Sequence, residues 1–222
     1  MTRRDDGRFL ELTNGMTYGS SESQGVVRGN SFLHKKLDLY LTFPKGWIID
    51  NRPDSVVARS PRGEQQIIMR MRDLNKRQSA EEFLADNFQA FSDGRSIQTS
   101  EEQAYAGKAV IETNNGGKEK VQVAAVYRGK RAFMLYSRGK KALPENEFFA
   151  TVESVRRLKD KETQRAGATR IELTTARRGD TFAKLAKKSP NAGPYAEQEL
   201  RLINGMFPNG EPVAGQLIKV LR

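Results

Sequence analysis

The 222-residue sequence contains no cysteine, one histidine and one tryptophan. The absence of cysteine excludes disulfides, thiolate metal sites and cysteine nucleophiles, and suits cytoplasm and periplasm alike. The lone histidine, His34, excludes a zinc site built on two or three imidazoles, and a Ser-His-Asp triad would have to use it. No apolar run approaches the ~20 residues of a membrane-spanning helix. The opening residues Met1–Gly7 lack the apolar centre of a signal peptide. These absences argue against the common hydrolase chemistries, so the chain alone is read as non-catalytic.

What is present is a globular composition, 37% hydrophobic and 29% charged, with a net charge of +11. That length suits one large or two small domains. The first 30 residues are balanced in charge, and the excess is spread over the rest of the chain. Such diffuse positive potential favours the approach of any polyanion, whether nucleic acid, anionic lipid or wall polymer. No base-reading motif accompanies it, so nucleic acid is not an expected partner. The doublets Lys35-Lys36, Lys140-Lys141 and Lys187-Lys188 read as solvated faces. The neighbours Glu81/Glu82 and Glu101/Glu102 do not share a helix face and offer no acid–base pair. His34 reads as a surface or turn residue, Trp47 as core, and Met16, Met69, Met71 and Met134 as core fillers.

Along the chain, residues 1–30 read as a short helix near Arg8–Leu12 followed by a Gly- and Ser-rich extended linker. Residues 31–158 read as one α+β domain. Leu37, Leu39, Leu41 and Phe43 alternate as a half-buried strand does, and Trp47 and Ile49 continue it after Pro44-Lys45-Gly46. Further strands follow at Val56–Ala58 and over Ile67, Met69 and Met71. Ser79-Ala80-Glu81-Glu82 has the form of a capping box and predicts a helix carrying Leu84, Phe88 and Phe91, stopped by Asp93-Gly94. Strands at Lys108–Thr113, Lys120–Tyr127 and Arg131–Ser137 form a meander through the turns Asn114–Gly117 and Arg128–Lys130. A helix over Glu145–Leu158 presents Phe148, Val152 and Val155. Strands with helices packed on them make an antiparallel α+β fold.

Residues 159–169 have no apolar side chain larger than alanine and read as a linker. Residues 170–222 predict a small β-α-α-β unit. Ile171 and Leu173 mark its first strand, and Asp180, or else Thr181, is the expected cap of a helix with Phe182, Leu185 and Ala186. Ser189-Pro190-Asn191 breaks that helix. A second one spans Tyr195–Ile203 and stops at Gly205, and a strand over Leu217–Leu221 closes the unit.

This second unit resembles a LysM module through Gly179-Asp180-Thr181-Phe182-Ala183-Lys184-Leu185-Ala186, Leu202-Ile203-Asn204-Gly205 and Gly215-Gln216-Leu217-Ile218-Lys219-Val220. It departs from the pattern in its longer inter-helix segment Pro190–Pro194. The resemblance implies a groove for N-acetylglucosamine polymers, and the matching candidate glycan-binding residues are Asp180, Thr181, Phe182, Pro208, Asn209 and Gly210. The first unit, from Phe43-Pro44-Lys45-Gly46-Trp47 through the capped helix and meander to Phe148–Leu158, resembles a PsbP-like α/β/α sandwich.

The order of segments over residues 8–222 also resembles the region that follows the catalytic domain in bacterial cell-envelope zinc metallopeptidases related to HtpX and the CAAX prenyl proteases. That order runs Asn14–Gly19, Gln24–Gly29, Phe32–His34, Phe43–Trp47, Asn51 and Gly179–Phe182. Those enzymes hold zinc with His-Glu-x-x-His plus a distal Glu. This chain has no such motif, so it carries no catalytic, cofactor or metal residue of the family, and zinc is expected only in a catalytic domain upstream of Met1. The resemblance implies a non-catalytic accessory region of the periplasm or membrane-associated envelope, whose partners are that protease domain, peptidoglycan or envelope proteins. A stand-alone peptidoglycan-binding protein is the alternative.

Overall fold

The computed structural model describes residues 8–19, 23–74, 77–100, 103–113, 115–190 and 192–222, with side chains from Leu10 onward. Of the residues singled out above, Met1–Gly7, Ser20–Glu22, the Glu101/Glu102 pair, Asn114 and Asn191 lie outside them. The chain begins with α1 (Arg8–Thr13), then β1 (Val26–Arg28), β2 (Ser31–His34), β3 (Leu39–Thr42), β4 (Ile48–Asn51), β5 (Val56–Arg59) and β6 (Gln65–Asp73). After α2 (Ala80–Asn87) come β7 (Gln89–Ser96), β8 (Gln103–Glu112), β9 (Lys118–Arg128), β10 (Arg131–Gly139) and α3 (Glu145–Glu153). The remainder is α4 (Asp160–Arg165), β11 (Ile171–Thr175), α5 (Phe182–Ala186), α6 (Ala196–Ile203) and β12 (Leu217–Leu221).

Among the described residues the strands form three antiparallel sheets. The largest has the order β4-β5-β6-β10-β9-β8-β7, beside β1-β2-β3 and the pair β11-β12. Period-two alternation gives the large sheet two cores. Ala124, Val126, Phe133 and Leu135 face one side, where they meet Phe148, Val152 and Val155 and the inner face of the small sheet, Phe32, Leu39 and Leu41. Val121, Val123, Ala125, Met134 and Tyr136 face the other, under Phe83 and Leu84 of α2. Because β9 and β10 are covered on both faces, Val121–Tyr127 and Ala132–Tyr136 read as nearly continuous apolar runs. The molecule is thus a mixed α/β fold with helices on both sides of an antiparallel sheet.

Several local expectations change. The capping box forms as predicted: Glu82 N–H donates to Ser79 Oγ at 3.1 Å and Ser79 N–H to Glu82 Oε2 at 2.7 Å. The helix ends at Asn87, however, and Phe88 and Phe91 belong to the strand region instead. A spacing of three would split a regular strand's faces, but the irregular start of β7 lets Phe91 pack on Tyr105 and Phe88 on Tyr136 in the same core. Asp93 has positive φ at an irregularity of β7, so Asp93-Gly94 kinks an edge strand rather than stopping a helix. The last helix of the first unit stops at Glu153, because Arg156 pairs with Tyr40 of β3 through two backbone hydrogen bonds of 2.8 and 3.0 Å. Met16 and Met71 are exposed rather than core, while Trp47 and Met69 are buried. Thr181, not Asp180, caps α5 by accepting from Lys184 N–H.

Two stretches expected as linkers carry structure. Residues 14–18 run beside β11: Gly15 N–H donates to Ile171 O, Ile171 N–H to Met16 O and Tyr18 N–H to Thr169 O. Residues 26–28 are β1, and the turn before it requires Gly25, since a Cβ there would stand 2.5 Å from the Phe32 ring. Asn51 Nδ2 holds this turn by donating to Gln24 O and Gly25 O. Residues 159–169 hold α4, and the small side chains that suggested a linker let Ala166 pack, fully buried, between Val26 and Leu33.

The α4 turn is locked by Arg156, whose Nη1 and Nη2 each lie 2.7 Å from a Glu162 carboxylate oxygen while its guanidinium stacks on Tyr40. That bidentate bond first, and the Lys159 N–H second, hold the Glu162 carboxyl down to about 2. Since the folded value lies below the unfolded one, the interaction stabilises the fold above the ordinary carboxylate range and is lost as pH falls. Glu162→Gln is expected to cost about 1 kcal/mol at neutral pH. Urea denaturation across a pH series checks this. The gap between the two proteins should close between about pH 4 and pH 2; a gap unchanged to the acid end would assign the loss to another cause.

Candidate functional site

Folding brings three parts of the chain around one open cleft of about 660 Å³. One wall is Val26–Gly29 of β1 with Trp47–Asn51 at β4; the other is the 193–199 stretch entering α6, with Leu202 and Phe207. Tyr18 and Thr169 lie between them. The second wall is exposed and apolar: Tyr195 is 57% exposed, Leu202 64% and Phe207 58%. Scattered apolar residues are ordinary, but three beside one concavity make this wall the candidate binding surface. Polar groups border them, with Gln198 and Glu199 on α6 and Asp50 and Asn51 opposite.

The electrostatics at the back of the cleft are set by burial. Desolvation first, and the Glu199 carboxylate second, push the Tyr18 hydroxyl up to about 12. Burial likewise raises the Glu199 carboxyl, although the hydrogen bond from Tyr18 opposes it. Tyr18 therefore stays a neutral donor to Glu199 and fixes that side of α6 against the N-terminal stretch.

Arg28 holds the walls at their spacing. Its buried guanidinium donates to Arg165 O at 3.0 Å, Gly167 O at 2.6 Å and Thr169 Oγ1 at 2.8 Å. Burial lowers its pKa, yet a guanidinium stays charged at any physiological pH. Through it β1 is tied directly to the segment leading into β11.

The candidate residues taken from the LysM resemblance lie at a different place. Asp180 Oδ2 accepts from Arg177 N–H and closes the turn before α5. Thr181 is the cap of that helix, and the Phe182 ring is fully buried in the core with Ala186 and Leu200. Pro208 and Asn209 are exposed, while Gly210 N–H donates to Met206 O and its carbonyl accepts from Arg201 Nε. The two turns do meet, through a residue that sequence reasoning missed: Glu211 accepts from Phe182 N–H at 2.7 Å and pairs with Arg201. The Phe182 ring has no face open to a sugar. His34, expected at the surface, is a 9% exposed residue of β2 whose Nδ1 accepts from Leu37 N–H. Among the described residues no group of three or more His, Asp or Glu side chains stands together as metal ligands, and no helix is long and apolar enough to cross a membrane.

Removing the Arg28 guanidinium takes a donor from the buried Thr169 hydroxyl and from two half-buried carbonyls. Arg28→Met is expected to destabilise the chain by about 3 kcal/mol, and Thr169→Val by about 1. Denaturant midpoints measure both. An Arg28→Met cost within a few tenths of zero would mean that water replaces the guanidinium and the tie is not structural.

No protein-family model and no curated protein matches the sequence. Among solved structures, the chain is similar to a protein from Bacteroides thetaiotaomicron VPI-5482, at 12% identity and a TM-score of 0.45 over 73% of this chain. The match spans 58% of that protein's length. It is also similar to the solution structure of cyanobacterial PsbP (CyanoP) from Synechocystis sp. PCC 6803, at 10% identity and a TM-score of 0.41, covering 63% of this chain and 98% of that one. The neighbours thus include a PsbP-like fold at low identity.

Proposed function

We propose that this chain is a non-catalytic binding region that holds a cell-wall glycan in the cleft between β1, β4 and α6. In this reading it positions an associated zinc metallopeptidase of the bacterial envelope, and the compartment is periplasmic or membrane-associated. The observation that carries the glycan half is the exposed trio Tyr195, Leu202 and Phe207 beside Gln198 and Asn51. Sugar rings offer apolar C–H faces to aromatic and aliphatic surfaces and hydroxyls to amides, which is the mixture this wall presents. The β-α-α-β order of residues 171–221 supports a LysM-like module as the source of that wall. Its glycan contacts are assigned to Tyr195 and Phe207 rather than to the buried Phe182. The protease half rests on the order of sequence segments alone, and the coding sequence upstream of Met1 tests it: an in-frame His-Glu-x-x-His supports it, and a stop codon there overturns it.

Co-sedimentation of the full chain with insoluble peptidoglycan tests the glycan half. Wild type should pellet with the polymer, and the Tyr195→Ala/Phe207→Ala double variant should bind about tenfold more weakly, the loss of roughly one stacking contact. Thr181→Ala should bind as wild type does. Pelleting no greater than in buffer sinks the reading, and equal loss in Thr181→Ala would return the site to the 180–181 turn.

A further inference from the structure

We propose that a second cavity, of about 560 Å³, binds a small organic polyanion carrying at least two phosphate or carboxylate groups. It opens at a step in the large sheet. There β5 begins at Val56, opposite Met69, while β6 continues alone on that side to Asp73. The 52–55 turn between β4 and β5 covers one side, and the turn after β2 covers another. Lys36, Arg52, Arg70, Arg72 and Arg131 line it, Arg70 and Arg72 from the α2 side of β6 and Arg131 from the other, with Asp54 the one carboxylate among the lining residues.

Five cations thus line one opening against a single lining carboxylate. Arg52 already donates to Asp50 Oδ2 at 2.8 Å, while the counter-charges of Arg70 and Arg131 are weakly held. Arg70 lies 3.8 Å from Asp54 and Arg131 3.6 Å from Asp73, both exposed pairs. Such pairs are worth about 0–1 kcal/mol, so a bidentate oxyanion displaces them readily. Arg70 Nε, moreover, is buried with no hydrogen-bond partner among the described residues. A donor left unpaired in that way has a ready acceptor in a bound phosphate or carboxylate oxygen.

The buried wall agrees. Burial lowers the His34 pKa against the backbone hydrogen bonds at His34 and Ser23 that raise it, and Lys36 and Arg131 add smaller lowering contributions. His34 is therefore a neutral imidazole beside an excess of positive charge. Buried Met69 and Phe133, with the exposed Met71 beside them, give apolar lining that suits the carbon skeleton of a ligand rather than a bare inorganic ion. The volume lies within the range of small-molecule sites. This cavity shares Asn51 alone with the glycan cleft, so its fate is separate from that reading.

Isothermal titration of the full chain in low-salt buffer, with pyrophosphate and separately with citrate, tests the proposal. One of the two should bind saturably at one site per chain, and which one does identifies phosphate or carboxylate as the preferred group. Arg70→Gln and Arg131→Gln should each weaken it about tenfold, and Asp54→Asn should tighten it. Lys36→Gln, at an exposed turn position, should weaken it too and stands in if an arginine variant fails to fold by circular dichroism. The distant pair Lys187→Gln/Lys188→Gln should bind like wild type. Absence of saturable heat with both probes, or an equal loss in the distant lysine variant, overturns the site in favour of diffuse surface charge.

Discussion

The guanidinium of Arg28 is the constraint on which the arrangement of this molecule depends. It sits buried at the end of a three-residue strand and feeds donors to three acceptors in residues 165–169. A buried cation is costly unless its donors are satisfied, so the segment has to follow the path that satisfies them. That path sets where β11 starts, and hence where α6 stands relative to β1 and β4. The cleft is a by-product of this tie: its two walls have few direct contacts and owe their separation to the clamp beneath them.

The two units are built on different physics. The large sheet is stabilised by apolar side chains on both faces, and its central strands need no polar device to stay in place. The C-terminal unit has a small core around Phe182 and Leu200 and leans on specific hydrogen bonds. Asn204, for example, accepts from Lys219 N–H and donates to Lys219 O, fastening the end of α6 to β12. Small cores of this kind gain little from burial alone, which explains the density of caps and side-chain bonds in the last fifty residues.

Much of the fold was legible in the sequence because it follows from local periodicity. The strands of the β-meander, the Ser79 capping box and the elements of the β-α-α-β unit are each written in a short local pattern. What was not legible depends on distant partners. Phe88 and Phe91 fit a helix by spacing, and Tyr105 and Tyr136 make them part of a sheet instead. Residues 159–169 look like a linker because their small side chains give no pattern, yet smallness is what admits Ala166 between Val26 and Leu33. The site was harder still. Its walls come from residues 18, 26–29, 47–51 and 193–207, so no motif of fixed spacing exists to find. His34 looked like a turn residue because its burial comes from the sheet packed beside it. The basic residues of the second cavity were hidden for the same reason: an overall charge of +11 was visible, but not which five cations line one opening.

The hydrogen bonds of Gly15, Met16 and Tyr18 to β11 and Thr169 make the C-terminal unit discontinuous in sequence. It is a clasp, closed by a ribbon from the beginning of the chain that returns to the end of it, with the large sheet as the loop between. Neither end of the chain can then peel away without undoing the other, and heat or denaturant should melt both units in a single cooperative step. A fragment cut at residue 170 would lose its edge ribbon and Tyr18 together. Any polypeptide joined ahead of α1 would also leave the molecule near β11, on the side of the clasp rather than at the far side of the large sheet.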